Sequence, residues 1–188
     1  MKLATFTQFI AFWKSIRRYF KGYGGWTAVF CSPIFVFSLA VTAVNYSNWM
    51  EPKWVSRSFD MIPSLLGFSL GSYTILFSVM TGRLKRALKS VKNPSGVNYL
   101  EEINATFFHF IFVQILCLVW AFLFDGTFVY DFFCYMAKTH SRVMEVFHIV
   151  MMTGSFVGYL LLVYSFLLIL AAAIAVYRIA SITDPADG

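Results

Sequence analysis

The sequence predicts an all-α fold. It reads as an integral membrane four-helix bundle, with an N-terminal interfacial amphipathic helix and a cytoplasmic helical hairpin extending spans two and three. Three observations predict it. Of the 188 residues, 59% are hydrophobic and only 13% are charged. A soluble domain carries about a quarter charged residues, so lipid is the solvent suited to the remaining apolar surface. Apolar runs occur near residues 26–46, 59–80, 103–124 and 146–177, each close to the roughly 20 residues a crossing helix needs. Finally, Lys and Arg are unevenly shared between the connecting segments, as the positive-inside rule requires.

Residues 1–21 form the first unit. Leu3, Phe6, Phe9, Ile10, Trp13, Ile16 and Phe20 recur every three or four positions, which is one face of a helix. Gln8, Ser15 and Arg18 lie roughly opposite, and Lys14, Arg17 and Lys21 sit where they can snorkel at the edges. Such a helix lies in the interface rather than crossing. Packing against its own bundle is the competing expectation, and the two are compatible. The basic residues interrupt the apolar run and no small-residue cleavage site follows, which argues against a secretory signal.

Residues 22–188 read as one transmembrane domain without an internal repeat. Gly22, Gly24 and Gly25 break the first helix. Pro33 lies near the start of the first span, and Trp49 and Trp54 mark the far interface. In the second span Pro63 suits the first helical turn, with Asp60 as its N-cap. Gly67 and Gly71 make a Gly-x-x-x-Gly pair, extended by Ser64 and Ser78.

The helical pattern then continues past the membrane edge. Arg83, Lys85, Arg86 and Lys89 alternate with Leu84, Leu88 and Val91. Asn93-Pro94-Ser95-Gly96 is a turn, and Asn98 caps the next helix with Glu101 three residues on. The expectation is a hairpin over residues 81–102, continuous with spans two and three, its basic arm facing Glu101 and Glu102. The third span holds His109 and Gln114. Residues 125–145 are rich in rings and are expected to hug the membrane surface. The last helix, residues 146–179, is about 50 Å long at 1.5 Å per residue. That exceeds a hydrocarbon core of about 30 Å, so it tilts or projects.

Five basic residues precede the first span, five lie in the hairpin (Arg83, Lys85, Arg86, Lys89 and Lys92), and Arg178 lies at the C-terminal end. These eleven share one side, against four on the other (Lys53, Arg57, Lys138 and Arg142). The bias places both termini and the hairpin in the cytoplasm. It also accounts for most of the net charge of +6 without direct nucleic acid binding.

No Asp, Glu, Lys or Arg lies mid-span, which argues against proton pumps, ion-coupled transporters and voltage sensors. No phosphate loop, zinc motif or nucleophile elbow is present. His140, His148 and Glu145 are the nearest approach to a metal site, and solvated interfacial histidines are the plainer reading. Cys31, Cys117 and Cys134 have no metal or redox spacing. The chain is therefore expected to be a non-enzyme with no cofactor. His109 is expected to bond to a neighbouring helix, and so is Gln114, the deepest strongly polar side chain. Ser64, Gly67, Gly71 and Gln114 are the helix-packing candidates, leaning towards a homo-oligomer. The basic hairpin residues are the candidates for docking a partner, besides touching anionic lipid.

The stretch from Met61 to Leu88, with the core IPSLLGFSLGSYTILFSVMTGRLKRAL, resembles a segment of small bacterial membrane proteins from anti-phage defence islands. Size, four spans and cytoplasmic termini resemble the membrane subunits of the Kiwa defence system. The resemblance implies a sensor of infection in the bacterial inner membrane, working with a cytosolic partner that binds DNA. The alternative is an oligomeric pore-forming effector that depolarises infected cells, with Ser69, Ser72, Thr74 and Gln114 as its polar set. A lipid-modifying enzyme ranks last.

Overall fold

A computed structural model describes residues 2–137 and 143–180. Among them the chain is helical, without a named strand. The helices are α1 (Lys2–Tyr23), α2 (Gly25–Phe30), α3 (Pro33–Val44), α4 (Tyr46–Met50), α5 (Trp54–Val79), α6 (Gly82–Ser90), α7 (Tyr99–Asp125), α8 (Phe128–Ala137) and α9 (Val143–Ala180). Three of these, α5, α7 and α9, are long and apolar enough to cross a membrane.

α5 and α9 run parallel to each other and antiparallel to α7, with α3 against α9 and α1 against α7. One core cluster fills the half near the 81–98 hairpin, around Leu76, Phe107, Phe110, Tyr164 and Leu168. A second fills the opposite half around Trp54, Ile62, Cys117 and Leu162. The interior is mainly apolar but also holds several polar side chains, and the surface is rich in large apolar ones. Ser38, Thr42, Ser58, Ser69, Gln114 and Ser165 are buried, while Phe37, Ile75, Phe122, Ile149 and Leu170 face outward. In water such a surface would aggregate. In lipid it is the favoured one, because polar groups must find partners inside the protein.

Several expected boundaries move. The first apolar run is not one helix. Gly24 and Gly25 adopt positive φ (106° and 77°), so the break falls there and α1 runs on through Gly22. A second break follows at Cys31 and Ser32, where Pro33 opens α3. Pro has no N–H to continue a preceding helix. What remains, α3, spans about 18 Å. The second long helix starts at Trp54 rather than near 59, so Asp60 is not its cap and Pro63 lies inside it. Continuity from α5 into the hairpin also fails. Met80 and Thr81 are extended, and the Thr81 hydroxyl accepts from the Leu84 N–H to start α6 afresh. Only α7 runs unbroken from the turn into the bundle.

Trp54 at the start of α5 faces the bundle interior. It is fully buried, donates to Ser155 Oγ at 2.7 Å, and lies over Gly158. Trp49 donates to the Thr42 carbonyl at 3.0 Å. At 38 residues, α9 is about 57 Å long, well beyond the hydrocarbon thickness. The segment after Gly126 forms α8, which meets α9 through Phe133 and Phe147.

Candidate functional site

A cluster of polar and charged side chains lies at the hairpin end of the bundle, where α1, α6 and α7 meet. The turn is built locally. Asn93 Oδ1 accepts from the N–H groups of Ser95 and Val97, both at 3.0 Å. Gly96 takes φ +76°, a conformation L side chains rarely adopt. A single antiparallel bridge joins Lys92 and Asn98. Asn98 Oδ1 accepts from the Glu101 N–H at 2.9 Å and its amide reaches back to Glu101 Oε2 at 3.4 Å. The forward bond is that of a capping box, while the return bond comes from the Asn98 side-chain amide rather than its backbone N–H.

Lys89 of the basic arm shares a cavity with Glu101, while the bonds of the two glutamates run to Arg18 and Asn93. Glu102 accepts from Asn93 Nδ2 at 2.9 Å, which ties the turn to α7. Glu101 accepts from Arg18 Nε of α1 at 2.7 Å. The carboxylate beside it raises the pKa of the Arg18 guanidinium further. Lys89 and Lys92 are left exposed, Lys85 is half-buried, and Leu88 is the residue by which α6 anchors to the core.

Next to this ion pair, α1 docks on α7 by an unexpected face. Its contacts are Arg18 with Glu101, Gly22 with Ala105, and Tyr19 and Tyr23 with His109. A Cβ on Gly22 would come within 3.1 Å of the Ala105 Cβ, so that close approach uses glycine. The Tyr19 hydroxyl pairs with His109 Nδ1, and His109 Nε2 pairs with the Tyr164 hydroxyl of α9 at 2.8 Å. His109 is therefore bonded on both ring nitrogens and links three helices. Phe9 and Trp13 of the apolar stripe stay outside this contact. Phe9 is 60% exposed and Trp13 53%.

Between α1, α5, α6 and α7 lies an open cavity of about 470 Å³, lined by Arg18, Tyr73, Lys89, Glu101, Asn104 and Phe108 among others. Tyr73 donates to Asn104 Oδ1 at 3.0 Å on its wall.

The remaining candidate residues sit elsewhere. Gln114 is buried and donates to Ser69 Oγ at 3.0 Å, joining α7 to α5, while its Oε1 has no partner. Ser64, Gly67 and Gly71 lie on the exposed side of α5, and a Cβ added at either glycine would meet nothing within 4 Å. Close packing inside the protomer uses Gly154 and Gly158 of α9 instead. A Cβ there would collide with the rings of Phe124 and Trp54. These two glycines also form a Gly-x-x-x-Gly pair, a signal present in the sequence but not singled out. Thr74 bonds its own helix at the Leu70 carbonyl, 2.9 Å away.

Among the described residues no group of three or more His, Cys, Asp or Glu stands together as a metal set; His140 lies outside them. No protein-family model, curated protein or solved structure matches the chain.

Proposed function

We infer that the chain is a non-enzymatic sensor and scaffold of the bacterial inner membrane, part of an anti-phage defence system. In this reading it crosses four times, with α1–α3 together making the first crossing and both termini and the hairpin in the cytoplasm. It recruits or activates a cytosolic DNA-binding partner through its basic face, and it acts as a homo-oligomer. The resemblance of residues 61–88 to membrane proteins of anti-phage defence islands, and of size and span number to Kiwa membrane subunits, supplies the biological setting.

The observation that carries the reading is the double attachment of α1. One face, with Phe9 and Trp13, is exposed and suited to the acyl boundary. Another face is tied through Arg18 and Tyr19 to Glu101 and His109. A disturbance of the membrane that moves α1 pulls on α7, and α7 is the helix that enters the hairpin without a break. Lys85 and Arg86 on α6 are the surface offered to the partner.

The test uses cells carrying this chain with its native genomic neighbours, from which a cytosolic DNA-binding protein should co-purify with it. Lys85→Glu with Arg86→Glu should abolish co-purification of that protein and phage protection, while membrane insertion stays intact. Retention of both would remove the hairpin as the dock. A pore draws little support, because Ser69 and Gln114 bond each other inside the bundle and Thr74 bonds its own backbone. Robust ion flux through liposomes holding the pure chain would favour it.

A further inference from the structure

We propose that the cavity at the hairpin end is a binding site for one anionic phospholipid, held by its phosphodiester and its polar headgroup. The inference rests on the chain being membrane-embedded with this end at an interface; it does not require the defence role or the partner.

The walls change character along α7. Asn98 and Glu101 stand at the mouth, Asn104 one turn below, and Phe108 a further turn down. From Asn98 to Phe108 is about 15 Å of helix, over which the lining passes from polar and charged to aromatic. Phe108 is 42% exposed, so the apolar end opens outward where acyl chains lie. A soluble anion has no use for such a floor, whereas an amphiphile matches both ends. The volume of about 470 Å³ is in the range of small-ligand sites, roughly 300–1,000 Å³.

Charge decides the class of lipid. Lys89 and Arg18 bring two positive charges and Glu101 one negative. Glu101 is already engaged by Arg18 Nε, which leaves the two Nη groups of the guanidinium as donors. Lys89 makes no ion pair among the described residues and stands across the cavity on α6. The net single positive charge suits a phosphodiester monoanion. Asn104 gives its Oδ1 to Tyr73, so its amide N–H groups are the donors it has to offer. A glycerol headgroup suits these donors and the Ser15 hydroxyl. A headgroup bearing its own ammonium would meet Lys89 and Arg18 with like charge. Basic pockets between helices at the cytoplasmic face are known places for anionic headgroups.

The measurement is native mass spectrometry of the full chain, released from nanodiscs of phosphatidylcholine with or without phosphatidylglycerol. One phosphatidylglycerol per chain should be retained where phosphatidylcholine is not. Lys89→Gln should weaken retention about fivefold, the worth of one cation near an anionic surface. Lys92→Gln, on the same hairpin but outside the cavity, should leave it unchanged. Asn104→Ala provides a second, uncharged variant and should also weaken retention. Equal retention of both lipids would overturn the proposal, as would equal effects of Lys89→Gln and Lys92→Gln. So would displacement of the lipid by millimolar glycerol 3-phosphate, which would make this a site for a soluble phosphate. Each reading needs only the purified chain, so a failure here is separable from a failure of partner docking.

Discussion

His109 is the residue on which the α1 attachment turns. Its two ring nitrogens bond Tyr19 and Tyr164, and its ring stacks on Tyr23 at a centroid distance of 4.1 Å. Interhelical hydrogen bonds in membranes average about 0.6 kcal/mol each, so losing both costs about 1.2 kcal/mol, close to a tenfold change in an equilibrium. His109→Phe keeps an aromatic ring and removes both bonds. Only the Tyr19 bond holds α1, so amide exchange across residues 16–23 should rise about threefold, the worth of about 0.6 kcal/mol, while α7 exchange is unaltered. A second test at this scale concerns Gly158, which lies under the fully buried Trp54 ring. Gly158→Ala overpacks that contact and should destabilise the protomer by about 1–3 kcal/mol, measured by unfolding in detergent. Both residues were differently visible in advance. A histidine within an apolar run calls for a partner whatever the fold, and its helix neighbours could be expected. Gly158 carried the same spacing signal as Gly71, and nothing local distinguishes a glycine covered by a ring from one facing outward.

At the scale of helices, the two Gly-x-x-x-Gly pairs have separated roles. Gly154 and Gly158 pack inside the protomer, and Gly67 and Gly71 have open space around them. If the latter face joins copies of the chain, Gly67→Leu with Gly71→Leu should leave protomer unfolding unchanged and reduce cross-linked oligomer in membranes. Unchanged cross-linking would assign that face to lipid. The three long helices follow from apolar length alone, because backbone groups in lipid must be satisfied within the segment. The hairpin turn and the Asn98 cap follow from local chemistry, since Asn93, Gly96 and Asn98 act on neighbours within five residues. Tertiary choices were not readable in this way. Glu101 had basic residues available on both α1 and α6, and only the packing of α1 on α7 decides for Arg18. The break at Met80 and Thr81 also hides in the sequence, where apolar and basic spacing continues smoothly across it. For α1, the apolar stripe left open whether it meets lipid or the bundle; Arg18, Tyr19 and Gly22 dock on α7, while Phe9, Ile10 and Trp13 stay exposed.

For the whole molecule, an exterior rich in large apolar side chains argues for lipid independently of length. The count of crossings is the decisive quantity. Helices α5, α7 and α9 supply three. A fourth requires the end of α1, the broken α2 and the short α3 to traverse together. Contacts along the bundle support this: Tyr23 lies level with His109, Phe35 meets Tyr164, and Trp49 meets Phe156 nearer the other end. Broken helices of this kind are tolerated in membranes where protein covers the freed backbone groups. The account as a whole, including a hairpin available to a cytosolic partner, depends on that fourth crossing. It is tested most directly by impermeant-maleimide labelling of intact cells, using single cysteines at Ser95 and Glu51 and an N-terminal tag cysteine, with Cys31, Cys117 and Cys134 replaced by Ser. The account predicts labelling at Glu51→Cys alone, with Ser95→Cys and the N-terminal cysteine both protected until the cells are opened. Labelling of the N-terminal cysteine together with Glu51→Cys would mean three crossings and would contradict it.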